Sequence, residues 1–193
     1  MAVASEAASA EVLVAGAVAP AVVEVLQVAG NKFTKLIGID TLKGQYLGRR
    51  YFTKAFLSDL SERIAASEAQ HQAELVVAIE RNFPSHVDSS RDRALEVYGR
   101  LRVWDTPLNT GVLLYLSLDR QAIEIIADRG IAVAHERWVE VSAALAASFK
   151  EKRFCEGLQA AVQQIGDILN LACPETEPKP EGNDVLANEP VIL

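Results

Sequence analysis

Residues 111–130 read GVLLYLSLDRQAIEIIADRG, and this stretch decides the fold. It contains two mostly apolar runs separated by Asp119 and Arg120, which predict a tight turn. A nearly continuous apolar run is typical of a strand that is covered on both faces of its sheet. The stretch therefore predicts a β-hairpin inside a sheet with helices on both sides. Gly130 ends it, because glycine readily adopts a positive φ in a second turn.

Helical and strand-like patterns alternate outward from this hairpin. The predicted neighbours are helices near residues 53–71, 90–101, 138–149 and 158–169 and a strand at residues 73–80. The resulting order α-β-α-β-β-α-α places the first two strands in parallel through a right-handed crossover. The sequence therefore predicts an α/β fold, a three-layer α/β/α sandwich with a small mixed sheet and helices on both faces.

Composition divides the chain into three parts. Residues 1–49 are rich in Ala and Val and then basic, and we expect an N-terminal extension that is poorly ordered or partly helical. Residues 50–173 carry the folded pattern. Residues 174–193 are acidic and rich in proline, which predicts a disordered tail. Its apolar end, Val191 to Leu193, is typical of a segment that a partner recognises by β-strand addition, and an unstructured end without a partner is the alternative.

The charge distribution bears on the class of partner. The chain carries a net charge of −7, whereas a nucleic-acid-binding domain is basic, so we expect no nucleic-acid partner. Residues 31–54 are locally basic and follow an apolar run at residues 12–23. This pattern favours either a solvated linker or peripheral docking of residues 12–54 on an acidic lipid surface.

The apolar run is too short to predict a membrane span. It has about a dozen residues, interrupted by Pro20, whereas a spanning helix needs about 20. No basic residue precedes it, so it is also a poor secretory signal. We therefore expect a cytoplasmic protein, with membrane association and an extracytoplasmic location as the open alternatives.

Oxygen-bearing side chains flank the predicted hairpin. Asp105 and Asn109 precede its first strand, and Asp128 follows its second. Because the start of one hairpin strand lies beside the end of the other, we expect the three side chains to converge at one edge of the sheet. Carboxylate and amide oxygens are preferred ligands of hard cations. The sequence predicts a weak site for Ca²⁺ or another divalent cation, and turn chemistry within the backbone is the alternative.

No complete catalytic motif accompanies these residues in the sequence. The chain has no Asp-x-Asp pair and no Arg-His-Gly triplet, and Cys155 lacks the arginine of a cysteine-phosphatase loop. Its three histidines belong to separate predicted elements. Trp104 and Trp138 are interpreted as core or rim aromatics. These observations favour a binding role over catalysis.

Four segments resemble the TPM-domain family in order and spacing. They are Leu101–Asp105, Asn109–Tyr115, Glu124–Ala132 and Phe149–Leu158, within a match over roughly residues 50–172. The family includes thylakoid-lumen proteins of photosystem II repair, an animal modulator of acetylcholine receptors and many bacterial proteins. This chain is similar to the short bacterial form.

The resemblance implies an α/β/α sandwich, a divalent-cation site at one end of the sheet and, for plant members, a claimed acid phosphatase activity. Family members commonly carry two asparagines before the glycine, whereas Asn109 is followed here by Thr110. We therefore expect a non-enzymatic accessory or adaptor domain that binds a protein partner, such as a membrane complex. A metal-dependent acid phosphatase and a peripheral membrane protein are the alternatives.

Overall fold

The computed structural model describes residues 22–24, 39–174 and 186–193. The elements in these ranges are, in chain order, β1 (Val22–Glu24), α1 (Ile39–Tyr51), α2 (Lys54–Glu68), β2 (Glu74–Glu80), α3 (Ser90–Arg100), β3 (Gly111–Ser117), β4 (Ala122–Ala127), α4 (His135–Lys150), α5 (Phe154–Ala172) and β5 (Val191–Ile192). From α2 to α5 this order is the predicted one. None of the helices described is long and apolar enough to cross a membrane.

The strands form one mixed sheet in the order β1-β4-β3-β2-β5. Strands β2 and β3 are parallel over their whole lengths, from Glu74 opposite Gly111 to Glu80 opposite Ser117. Strands β3 and β4 are antiparallel neighbours, which confirms the predicted hairpin. Every residue of β3 and β4 is buried, as expected for strands that are covered on both faces.

Each face of the sheet has its own core, because alternate strand residues point to opposite sides. One face, which includes Leu114 and Ile125, packs against α2, α4 and α5, and Leu47 of α1 joins this core. The other face, which includes Leu113, packs against α3 through residues such as Val97. Helices therefore cover both faces, and the predicted three-layer α/β/α sandwich is confirmed.

Local sequence starts the helices on either side of β2. The side chain of Thr53 accepts a hydrogen bond from the Phe56 amide (3.3 Å) at the start of α2. The side chain of Ser89 accepts one from the Asp92 amide (3.3 Å) at the start of α3. Such caps satisfy amide groups that have no partner within the helix. They fix where α2 and α3 begin.

The sheet extends beyond the predicted strands at both edges. Strand β1, from the predicted N-terminal extension, pairs antiparallel with β4, and α1 crosses the predicted domain boundary at residues 49–50. The other predicted parts of that extension, residues 1–21 and 25–38, lie outside the described residues.

The prediction of a disordered tail does not hold at the C-terminus. Strand β5 pairs in parallel with β2, and the Leu193 amide donates to the Ile79 carbonyl (3.0 Å). The acidic, proline-rich composition predicted disorder, but the last residues alternate as a strand does. Ile192 packs against one core and Leu193 against the other. The strand that we expected a partner to recognise thus pairs within the chain, while residues 175–185 lie outside the described part.

Candidate functional site

The start of β3 and the end of β4 meet at one edge of the sheet, as the hairpin prediction requires. Val112 is paired with Ala127, and the Asp128 amide donates to the Gly111 carbonyl (2.9 Å). Residues 102–110, here named the edge loop, therefore lie beside the turn that follows β4. This proximity places two of the predicted site residues in adjoining segments and is the geometric basis of the site.

Asn109 and Asp128 are joined through Arg129. The amide oxygen Oδ1 of Asn109 accepts a hydrogen bond from Nη2 of Arg129 (3.2 Å), and its carbonyl accepts one from the Gly130 amide (2.9 Å). Oδ1 of Asp128 accepts from the Arg129 amide (2.7 Å). Asn109 adopts a left-handed conformation with φ 55°, which asparagine tolerates better than most residues. These contacts are the turn chemistry that was the alternative to a cation site.

Asp105 lies apart from the other two predicted residues. Its side chain is exposed, and Oδ2 is 3.9 Å from Nη1 of Arg102. Its amide donates to the Arg102 carbonyl (2.8 Å), so the residue closes a turn within the edge loop. In the described part of the chain, no hydrogen bond or ion pair joins Asp105 to Asn109 or Asp128.

The second carboxylate oxygen of Asp128, Oδ2, is buried beside the Tyr98 hydroxyl. The Tyr98 side chain of α3 lies close by: burial raises the pKa of the Tyr98 hydroxyl, and the Asp128 carboxylate raises it further. The sequence placed Tyr98 only on the apolar face of its helix. A hydroxyl within that apolar stripe was the signal that could have drawn attention to it.

The predicted oxygens fit a divalent cation only in part. Asp128 offers Oδ2, but the oxygen of Asn109 is already paired with the positive guanidinium of Arg129. The Thr110 hydroxyl donates to the Gln72 carbonyl (3.0 Å) and is thus committed to the loop before β2. Within residues 39–174 and 186–193, no group of three or more His, Cys, Asp or Glu side chains is placed to hold a metal. A cation that used both Asn109 and Asp128 would have to displace Arg129, since like charges repel.

The edge loop is rigid although much of it is exposed. The Val103 side chain is fully buried, and the Thr106 hydroxyl accepts a hydrogen bond from the Thr110 amide (2.8 Å). Gly111 allows the Val103 carbonyl to approach so closely that a Cβ there would overlap it. Two apolar side chains, Trp104 and Leu108, nevertheless remain 50% and 54% exposed. Trp138 is a core residue, as interpreted from the sequence, whereas Trp104 lies on the rim.

The family model described as the TPM domain matches residues 49–168, well over half of the chain. The chain belongs to the TPM-domain family. The BA42 protein of the psychrophilic bacterium Bizionia argentinensis, solved by NMR, is similar in structure, with a TM-score of 0.64 and 25% sequence identity. That similarity covers 73% of this chain and 94% of BA42. No curated protein sequence matches.

This TPM domain also carries a groove at the opposite end of the sheet. It has a volume of about 620 Å³ and lies between α1, the turn that joins β3 to β4, and the junction of α4 with α5. No pattern in the sequence indicated this groove, because its walls come from three regions that are distant in the chain. The edge loop and the groove are therefore two separate surfaces.

Proposed function

We propose that this TPM domain is a non-enzymatic accessory domain that binds a protein partner through the edge loop. The observation that supports it best is the half-exposed Trp104 in the same loop as the exposed Leu108. Tryptophan is among the residues most enriched at binding hot spots, and a large apolar side chain left in water is most useful when a partner covers it. The rest of the surface near it carries both signs of charge, from Arg102, Asp105 and Arg129.

The rigidity of the edge loop supports the same proposal. A loop that is already ordered by Val103, Thr106 and Thr110 loses little conformational entropy when a partner binds. Binding residues are frequently found on loops that a rigid scaffold positions. A membrane protein complex is the class of partner that the family resemblance favours.

Affinity purification of the full chain from its native host, followed by mass spectrometry, tests the proposal. We expect Trp104→Ala to lose at least nine-tenths of a specific partner, by analogy with hot-spot truncations of about 2 kcal/mol or more. Leu171→Ala is the matched control, because Leu171 is 79% exposed on α5 and lies outside the edge loop. An unchanged set of partners for Trp104→Ala, at an unchanged melting temperature, would contradict the proposal.

Weak binding of Ca²⁺ or a similar cation at the same edge is a finer part of the proposal. Its support is the buried Oδ2 of Asp128, whose neighbour is the Tyr98 hydroxyl, at the same edge of the sheet as the amide oxygen of Asn109. The side chain of Asp105, the third predicted ligand, is exposed at the same loop and lies near Arg102. A bound cation would draw the edge loop and the following turn together and so modulate the surface that carries Trp104.

A metal-dependent phosphatase at this edge is the second candidate function, and the same Asp128 oxygen is the observation that favours it. When bound, the metal would supply Lewis-acid activation. The chain's own contribution would be to orient an anion with Arg129, which is exposed beside the site. Hydrolysis of p-nitrophenyl phosphate by the purified chain, lost in both Asp128→Asn and Asp105→Ala, is the expected result for this function. Hydrolysis that survives both substitutions would assign it to a contaminant.

Peripheral membrane docking by residues 12–54 is the third candidate. Its described part is α1, which exposes Leu42 and Tyr46 beside basic residues, among them Arg49 and Arg50. Exposed apolar and basic side chains together suit an acidic lipid surface. Flotation with anionic liposomes, compared between the full chain and one that begins near residue 50, tests this function. Equal flotation of the two would rule out a role for the N-terminal segment.

A further inference from the structure

The groove opposite the edge loop has apolar and aromatic walls. Its lining includes Leu47 and Tyr51 from α1, Leu118 and Ile123 from the hairpin, and Phe149 and Phe154 from the α4–α5 junction. The rings of Tyr51, Phe154 and Phe149 form a contiguous row, with centroid distances of 4.6 Å and 5.0 Å. A volume of about 620 Å³ is within the range of about 300–1,000 Å³ that is typical of sites for one small molecule.

The charge at this groove is opposite to that of the whole chain. Lys43, Lys150 and Lys152 line it, and no Asp or Glu of the described part of the chain does, although the net charge of the whole chain is −7. None of these three lysines takes part in an ion pair with another residue of the described ranges. Three ammonium groups without an ion-pair partner among the described residues, around an apolar wall, are complementary to a ligand that is apolar along its length and anionic at one end.

The backbone at Lys152 is held in a conformation that lysine does not favour. Its φ is 63°, and it follows α4 in a turn where Lys152 N donates to the Phe149 carbonyl (3.0 Å) and Arg153 N to the Ser148 carbonyl (2.9 Å). Glycine is the usual residue at this position of a helix end. The helix dipole favours a base near this end, but Lys150 already lies in the last turn of α4. Lysine at residue 152 thus costs stability that its position in the turn does not explain.

A second left-handed residue lies on the same groove. Gln121 has a φ of 54° in the turn between β3 and β4. The two remaining non-glycine residues of positive φ in the described ranges, Arg102 and Asn109, belong to the edge loop. Unfavourable backbone conformations of this kind are concentrated at functional sites. The residues of positive φ lie at the groove and in the edge loop, so this criterion indicates both as functional sites.

We propose that the groove binds a long-chain fatty acid in its anionic form. The acyl chain lies along the aromatic wall of Tyr51, Phe149 and Phe154, and the carboxylate is held at Lys152 and its two neighbouring lysines. A fatty acid matches the apolar wall, the positive rim and the one-molecule volume together. The site is independent of the edge loop and does not rest on the partner-binding function.

Titration of the full chain with myristate below its micellar concentration, followed by amide NMR and calorimetry, tests this site. We expect saturable shifts at Gln121, Lys152 and Tyr46, and at least tenfold weaker binding of 1-tetradecanol, which has the same chain length and no charge. No saturable shifts, or equal binding of the acid and the alcohol, would overturn the proposal. Shifts produced only by anionic vesicles would assign this face to a membrane surface and would also overturn it.

Lys152→Gly separates a binding role of the side chain from a structural one. We expect myristate to bind about tenfold more weakly, as for the loss of one charge-assisted hydrogen bond. Because glycine suits φ 63°, the melting temperature should stay equal or rise. Lys54→Ala, which removes a lysine outside the groove, is the control and should bind as the unaltered chain does. Ala146→Phe, which fills the groove, should abolish binding; unchanged affinity in both groove variants would refute the site.

Discussion

Nη2 of Arg129 lies 3.2 Å from the amide oxygen of Asn109, so a positive side chain contacts one of the oxygens that were predicted to bind a cation. The two residues are 20 positions apart, in the edge loop and in the turn after β4. Their contact fastens the two segments together, and the Gly130 amide reinforces it by donating to the Asn109 carbonyl (2.9 Å). The Arg129 guanidinium therefore helps to hold this edge of the sheet together.

Removing this guanidinium should strengthen cation binding at the edge. In Arg129→Gln the repulsion is lost and Asn109 Oδ1 becomes available, so we expect Ca²⁺ to bind roughly fivefold more tightly, as for about 1 kcal/mol at an exposed site. Amide NMR during calcium titration measures this through the shifts of Asn109 and Asp128. Asp128→Asn in the same background should remove the effect. The cation site is refuted if neither the unaltered chain nor Arg129→Gln shifts at millimolar calcium.

Gly111 should be essential to the position of the edge loop. A Cβ at this residue would overlap the carbonyl oxygen of Val103, which is backbone and cannot simply rotate away. We expect Gly111→Ala to lower the free energy of unfolding by about 1–3 kcal/mol or more through overpacking. Gly99→Ala is the matched control: nothing lies within 4 Å of its Cβ position in α3, so helix propensity should stabilise it by about 0.5–1 kcal/mol. Urea denaturation distinguishes the two, and equal stabilities would contradict the close approach.

The buried ion pair between Arg93 and Glu80 should dominate the stability of the α3 face. Nη2 of Arg93 lies 2.7 Å from Glu80 Oε1, and both side chains are less than a tenth exposed. The Tyr115 hydroxyl also donates to Glu80. Burial is the larger cause that raises the pKa of Tyr115, and the Glu80 carboxylate raises it further. Arg93→Ala leaves a buried carboxylate without its counter-charge, which should cost about 3–5 kcal/mol. Arg100→Ala, an exposed change in the same helix, should stay within about 0.5 kcal/mol.

Deleting residues 191–193 should loosen one edge of the sheet. The Arg81 amide donates to the Leu193 carbonyl (3.4 Å), so its hydrogen exchange should accelerate once that acceptor is gone. The Leu75 amide is the internal control, because it donates to Glu68 Oε1 (2.7 Å) at the other end of β2. Loss of the half-buried Ile192 and Leu193 should also lower the free energy of unfolding by about 1–3 kcal/mol. Unchanged exchange at Arg81 would show that β5 does not hold this edge in solution.

Much of the architecture could be predicted because it depends on local patterns. The apolar runs around Asp119 and Arg120 predicted a hairpin, and the flanking helical stripes predicted the layers on both faces. The hairpin alone was enough to bring Asn109 and Asp128 to a common edge. The composition of the C-terminal segment predicted disorder, because acidic residues and prolines dominate it. Its last three residues, Val191 to Leu193, are apolar, and they form the strand that pairs with β2.

The sequence by itself determined the order of the elements from α2 to α5 and the mixed sheet at their centre, since periodicity is fixed by which residues must be buried. Its motifs also determined the family. Only the tertiary structure decided that the Arg129 side chain contacts Asn109, that Asp105 lies near Arg102, and that a lysine-rimmed groove forms at the far end. Those outcomes depend on angles and distances between loops that are remote in the chain. A pattern along the sequence determines which side chains face inward. Which side chains of two remote loops come into contact depends on how the backbone is packed in three dimensions.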